Sequence, residues 1–204
     1  MDGTDSYRTI RKASSGLYRE KGSRFVAEAF PVSDENQIKQ LMEEVRREHH
    51  EARHHCYAWL LGTREERWRA NDDGEPPGTA GRPILGQIRS SGLTNVLVVV
   101  SRYFGGTLLG VSGLINAYRT AARAALENAE PAQETVQESH ELKFPYAVLN
   151  DVMKIIKEEE AAHYNQTFDL ECSMTIRFRI SARERILKRL ARIEGLRHAP
   201  AGEK

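Results

Sequence analysis

Three carboxylates fall within four residues, at Asp72, Asp73 and Glu75, and the glycine-rich stretch Gly78-Thr79-Ala80-Gly81-Arg82 follows them. Carboxylates at that density suit a hard divalent cation, or acid/base work on a hydrolysable bond. The same residues also spell a turn, with Asp73-Gly74 bending the chain and the acids in water, and their spacing matches no EF-hand loop. Backbone N–H groups between Gly78 and Gly81, at the head of a helix, suit an anion to which Arg82 would add charge. Glycines packed closely against a sheet are the plain alternative. A second glycine turn, Phe104-Gly105-Gly106-Thr107-Leu108-Leu109-Gly110, follows Arg102 and Tyr103. It has neither the Gly-Lys-Ser/Thr ending of a Walker loop nor Gly-x-Gly-x-x-Gly spacing, which disfavours nucleotide hydrolysis. A guanidinium and two aromatics remain there, and Arg102, Tyr103 and Phe104 suit a phosphate and a stacked base unless the rings belong to the core.

His49, His50, His54, His55 and Cys56 raise the question of zinc, yet neighbouring strand residues point to opposite faces and no set of four ligands converges. Cys56 lies in a β-rich run and reads as a packing residue rather than a nucleophile. No metal or cofactor is expected. Between residues 175 and 197, eight arginines and lysines stand against only Glu184 and Glu194. Arg185, Arg189 and Arg192 share one helical stripe opposite Ile186, Leu190 and Ile193, and form a second candidate RNA contact. Arg177 and Arg179 are expected across a hairpin from Asp169 and Glu171, in cross-strand ion pairs.

The elements that must position these residues follow from periodicity. Residues 9–32 read as a β-hairpin around Glu20-Lys21-Gly22-Ser23, with Leu17, Phe25 and Val26 on its buried side. Ser33 or Asp34 caps a helix whose Ile38, Leu41, Met42 and Val45 repeat at helical spacing. A strand is predicted over 54–61, followed over 62–70 by a turn and a short edge strand carrying Trp68. Thr79 is expected to cap a helix running to about residue 91. The β-branched run 95–103 lacks alternation, as a central strand buried on both faces does. A long, alanine-rich helix ends near residue 130, and 131–135 reads as a linker. The order strand, helix, strand, strand, helix from residue 136 predicts a ferredoxin-like split βαβ domain. Two domains are therefore expected, 1–131 and 136–204, of α+β class.

A formal net charge of +1 across 204 residues argues against a strong non-specific grip on nucleic acid, so any RNA contact must be local. Cys56 and Cys172 fall in different expected domains, which predicts no structural disulfide and a reducing compartment. The start of the chain lacks the basic and apolar regions of a signal peptide, and the longest aliphatic run, residues 96–100, is too short to span a bilayer. The composition reads as cytoplasmic.

Asp72-Asp73-Gly74-Glu75-Pro76, then Gly78-Thr79-Ala80-Gly81-Arg82-Pro83-Ile84, Leu93-Thr94-Asn95-Val96 and Arg102-Tyr103-Phe104-Gly105-Gly106 together resemble the YigZ/Impact family. Lys21-Gly22-Ser23-Arg24-Phe25, His54-His55-Cys56-Tyr57-Ala58, and Gly113-Leu114 with Ala117-Tyr118 add to the match. It runs through the whole first domain, and the second domain resembles the small C-terminal domain of bacterial members more weakly. The resemblance implies a first domain folded like the second domain of ribosomal protein S5. It also implies a ferredoxin-like second domain similar to one in elongation factor G, and a link to translation. Eukaryotic relatives dampen the amino-acid-starvation response by competing for an activator of the kinase that phosphorylates an initiation factor, and some bacterial members carry a dipeptidase label. Leu108 departs from the lysine that relatives usually place after Gly-Gly-Thr/Ile, which removes charge from the second loop. Pro77 replaces a common serine and stiffens the turn.

The sequence thus predicts a non-enzymatic regulator of translation bound to RNA or the ribosome, with no membrane or DNA-specific role. Its expected ligand surface comprises Asp72, Asp73, Glu75, Thr79, Gly81, Arg82, Arg102, Tyr103, Phe104, Gly105 and Gly106. Arg102→Ala is expected to lower RNA affinity and leave the fold intact. The alternatives are a hydrolase using Asp72, Asp73 and Glu75, and a module that captures a protein partner in a stress-response pathway.

Overall fold

The computed structural model describes residues 5–63 and 66–201. The chain is a two-domain α+β protein: one compact unit spans Tyr7–Glu134, and the other joins residues 135–201 to Asp5 and Ser6.

The first unit is built on a five-stranded antiparallel sheet of order β2-β3-β6-β4-β5. Its strands are β2 (Ser14–Glu20), β3 (Ser23–Pro31), β4 (His54–Leu61), β5 (Arg67–Asn71) and β6 (Val96–Tyr103). Helices α2 (Gly81–Ser90) and α3 (Gly110–Glu127) cover one face, and α1 (Glu35–Glu48) covers the other. The unalternating apolar sequence of β6 follows from this. Val96, Val98 and Val100 pack under α2 and α3, while Leu97 and Val99 pack under α1, so both sides of the strand are core. Asp34 caps α1 by accepting the N–H groups of Asn36 at 2.8 Å and Gln37 at 2.9 Å. The alanines of α3 let it approach the sheet at Gly16, where a Cβ would lie 2.4 Å from the Ala125 nitrogen.

Two local expectations need correction. The hairpin turn lies at Lys21-Gly22, both at positive φ, and its register pairs Leu17 with Val26 and Tyr18 with Phe25. Leu17 therefore lies on the face opposite Phe25 and is exposed, while Tyr18 packs against the core. The segment read as a linker is instead strand β7 (Pro131–Thr135), which pairs with β1 (Ser6–Ile10) in a separate two-stranded sheet. Pro131 is tolerated because it is the first residue of that strand.

The second unit contains β8 (Gln137–Pro145), α4 (Leu149–Glu158), β9 (Ala162–Thr167), β10 (Glu171–Arg179), α5 (Arg183–Leu190) and β11 (Arg197–Pro200). The antiparallel sheet order β11-β8-β10-β9 is the ferredoxin-like arrangement. Val152 and Ile156 of α4, with Ile186 and Leu190 of α5, close its core over Leu142, Phe144, Ile176 and Phe178. The expected ion pairs across its hairpin do not form. Strand β9 stops at Thr167, and a register shift between Ser173 and Thr175 sets Arg177 opposite Ala162. Arg177 lies over the Tyr164 ring instead, and Glu171 pairs with Arg197. Among the described residues, no helix is long and apolar enough to cross a membrane.

Candidate functional site

Each of the three clustered carboxylates has a separate destination. Asp72, just beyond β5, receives the N–H groups of Ala80 at 3.0 Å and Gly81 at 2.8 Å on one oxygen, and that of Gly78 at 2.8 Å on the other. The anion expected at the start of α2 is thus supplied by the chain itself. Thr79, the expected cap, instead donates its hydroxyl to the Pro76 carbonyl at 2.7 Å. Asp73 accepts the backbone N–H of His55 at 2.7 Å, and Arg46 lies 3.7 Å from its other oxygen. Glu75 is buried, where one oxygen accepts from Arg102 Nη1 at 2.5 Å and from the Tyr118 hydroxyl at 2.8 Å.

The three carboxylates do not gather within 4.8 Å of one another. Among the described residues, the ligand-type side chains that gather three together within 4.8 Å are Glu28, Glu48 and His49. The histidines of β4 also diverge, as strand alternation requires. His54 Nδ1 donates to the Asp73 carbonyl at 2.7 Å, whereas His55 Nε2 lies 3.1 Å from the His49 carbonyl. Burial lowers the pKa of His55 despite that carbonyl, which favours the neutral ring.

Cys56 lies in the core, with its sulfur 3.0 Å from the Asp72 carbonyl and 3.3 Å from the Tyr118 hydroxyl. Burial is the main cause that pushes both the Cys56 thiol and the Tyr118 hydroxyl far up. Because Cys172 is buried as well, neither thiol of the folded protein should react with Ellman's reagent at about pH 8. Unfolding in guanidinium should release both, and rapid reaction of the native protein would place a thiol at the surface.

The second glycine loop is arranged differently. Alternation along β6 turns Arg102 towards α3 and Tyr103 to the opposite face, where the Tyr103 hydroxyl lies 2.8 Å from His49 Nδ1 and Arg24 covers its ring at 4.1 Å. Of the expected trio, only Arg102 and Phe104 stay together, with the guanidinium 5.6 Å from the ring centre and Arg53 at 5.8 Å. Gly105 passes so close to the β2–β3 turn that a Cβ there would lie 1.9 Å from the carbonyl carbon of Gly22. The chain then enters α3 at Gly110, and Leu109 at the cap position offers no side-chain hydrogen bond.

Arg53, His54, Glu75, Arg102, Phe104 and the chain from Leu108 to Val111, which leads into α3, border a cavity of about 400 Å³. Arg102 is only 5% exposed, and its Nε has no hydrogen-bond partner among the described residues. A truncation at Arg102 therefore strikes the fold, contrary to the expectation that binding alone would suffer. Arg82 is exposed in the first turn of α2 and does not line this cavity. Arg53, His54 and the α3 start were absent from the sequence-derived surface. The legible signal was Thr107-Leu108-Leu109-Gly110, a helix start without Ser, Asp or Asn at its cap.

The basic stripe of the second unit is largely engaged within its own domain. Arg185 donates to Glu159 at 2.6 Å, and Arg189 donates to Glu159 at 2.8 Å and also pairs with Glu158. Arg192 is exposed. Burial alone would raise the pKa of Glu159, but the hydrogen bonds from Arg189 and Arg185 outweigh it and hold the carboxyl below the usual glutamate value. With the folded pKa below the unfolded one, this contribution is complete above the unfolded value of about 4.3 and is lost as pH falls through the folded value. Melting the full chain from about pH 6 to pH 3 should show the loss begin below about 4.3, and Glu159→Gln should flatten it. An unchanged profile in that variant would remove Glu159 from the linkage.

Residues 21–126 match the model of the Impact N-terminal domain. The chain belongs to the Impact family. It is 35% identical over 150 residues to IMPACT family member YigZ of Escherichia coli (strain K12), covering 72% of this chain and 74% of that protein. IMPACT family member YvyE of Bacillus subtilis (strain 168) is 30% identical over 170 residues, covering 81% of this chain and 78% of that one. A crystal structure of a hypothetical protein aligns at a TM-score of 0.73 and 28% identity, over 98% of this chain and 100% of that chain. Within this Impact-family chain, the match from 21 to 126 takes in both glycine loops, the Asp72 cap and the Glu75–Arg102 pair.

Proposed function

We propose that this Impact-family chain is a non-enzymatic regulator of translation that associates with RNA or the ribosome. In this reading its first domain receives an anionic group in the cavity beneath the second glycine loop. One observation carries the site: two glycine loops lead into helices, and among the described residues a side chain caps the start of α2 and none caps that of α3. Asp72 occupies the start of α2, whereas α3, 18 residues long, begins without a side-chain cap beside Arg53 and the buried Arg102. Unpaired N–H groups and the helix dipole favour an anion there. Binding rather than catalysis is supported by the carboxylates, each of which is committed to a backbone or guanidinium partner. The link to translation rests on the family and on what its motifs imply.

Sedimentation of the purified protein with ribosomes and total RNA, over a salt series with and without ribonuclease, tests this role. Binding that weakens with salt and disappears after ribonuclease is expected. Binding indifferent to both would replace RNA by a protein partner, and no binding at low salt would overturn the association.

A further inference from the structure

We infer that the ligand of this cavity is a small amphiphilic acid: one carboxylate or phosphate monoester carried on an apolar or aromatic body. The inference rests on the cavity being an anion site, and adds what the remaining walls would recognise.

The polar end of the cavity has capacity for about one anionic group. Arg102 already spends its charge on Glu75 at 2.5 Å, which leaves Arg53 and the partial positive charge at the start of α3. Arg102 lines the cavity as well, and its Nε, sealed from solvent, has no hydrogen-bond partner among the described residues.

The rest of the site is apolar. Leu109 and Leu114 line it, and Phe104, Leu108 and Val111 stand around it with 41%, 83% and 60% of their surface exposed. Large apolar side chains exposed together around one concavity mark a ligand groove rather than ordinary surface. A second phosphate beside the first would lie against Leu108 and Val111, whose side chains offer no donor. An apolar body attached to a single acid would instead cover those side chains. Burying on the order of 60 Å² of additional apolar surface raises affinity about tenfold. The volume of about 400 Å³ also falls within the range of small-molecule sites.

Isothermal titration of the full chain with inorganic phosphate, phenyl phosphate, acetate and phenylacetate tests this. At least one phenyl compound should bind about tenfold more tightly than its parent anion, and the better of the two identifies the acid. Leu108 is solvent-facing, so Leu108→Lys should fold normally and reduce that preference below about threefold. Arg53→Ala should weaken every anion. Equal affinity for parent and phenyl compounds would overturn the amphiphilic ligand and leave the anion site standing. A phenyl preference unchanged in Leu108→Lys would also overturn it, because the apolar body would then lie elsewhere. Failure of all four anions to bind would remove the anion site itself.

Discussion

Arg102→Ala is expected to destabilise the first domain by about 3–5 kcal/mol, the range for removing one partner of a buried ion pair. Arg102 is held between the Phe25 ring at 5.4 Å and the Phe104 ring at 5.6 Å, and its Nη1 donates to Glu75. Truncation leaves the Glu75 carboxylate in the core with the Tyr118 hydroxyl and a distant His54, 3.9 Å away, as its partners among the described residues. Glu75→Ala strands the guanidinium in the same way. The double variant Arg102→Ala/Glu75→Ala removes both charges together and should cost much less than the two single truncations combined. Guanidinium denaturation of the four proteins measures this coupling. A loss below about 1 kcal/mol in Arg102→Ala would mean that water reaches Glu75.

The second large effect is expected at Asp72. One carboxylate accepts three N–H groups at the start of α2, and that helix carries Ile84, Leu85 and Ile88 into the core. Asp72→Ala should cost about 2–3 kcal/mol, above an ordinary cap because several charge-assisted bonds are lost together. Asp72→Asn should recover part of it by keeping an acceptor without the charge. The amides of Gly78, Ala80 and Gly81 should lose protection from hydrogen exchange in the alanine variant. Phosphate at tens of millimolar should restore part of that variant's stability by occupying the vacated position, and do less for the wild type at α2. Equal protection of these amides in both proteins would show that the cap is dispensable.

The contrast between Asp72 and Arg102 explains which parts of the site the sequence disclosed. Strong periodicity was legible: β6 announced burial on both faces by its unbroken β-branched run, and α1 announced its cap and apolar stripe. The Asp72 cap was not, because its donors lie six to nine residues away and meet it only once the loop has folded. Asp-Asp-Gly-Glu spells a solvated turn equally well. Arg102 and Tyr103 read by residue type as one aromatic-guanidinium surface, although neighbouring strand residues face apart. An arginine near the end of a strand also reads as exposed until a buried carboxylate 27 residues away is placed against it. Arg185 and Arg189 looked like an RNA-facing stripe because their partners, Glu158 and Glu159, come from the end of α4, beyond any helical spacing.

The central claim is that an anion enters the protein at the start of α3 and not at the start of α2. Titration of the isotopically labelled full chain with inorganic phosphate, followed through its backbone amides by NMR, tests it most directly. The account predicts saturable shifts at Gly110 and Val111, weakened in Arg53→Ala, with Gly78 and Gly81 almost unmoved. Shifts centred on Gly78 and Gly81, or none at Gly110 and Val111, would contradict it.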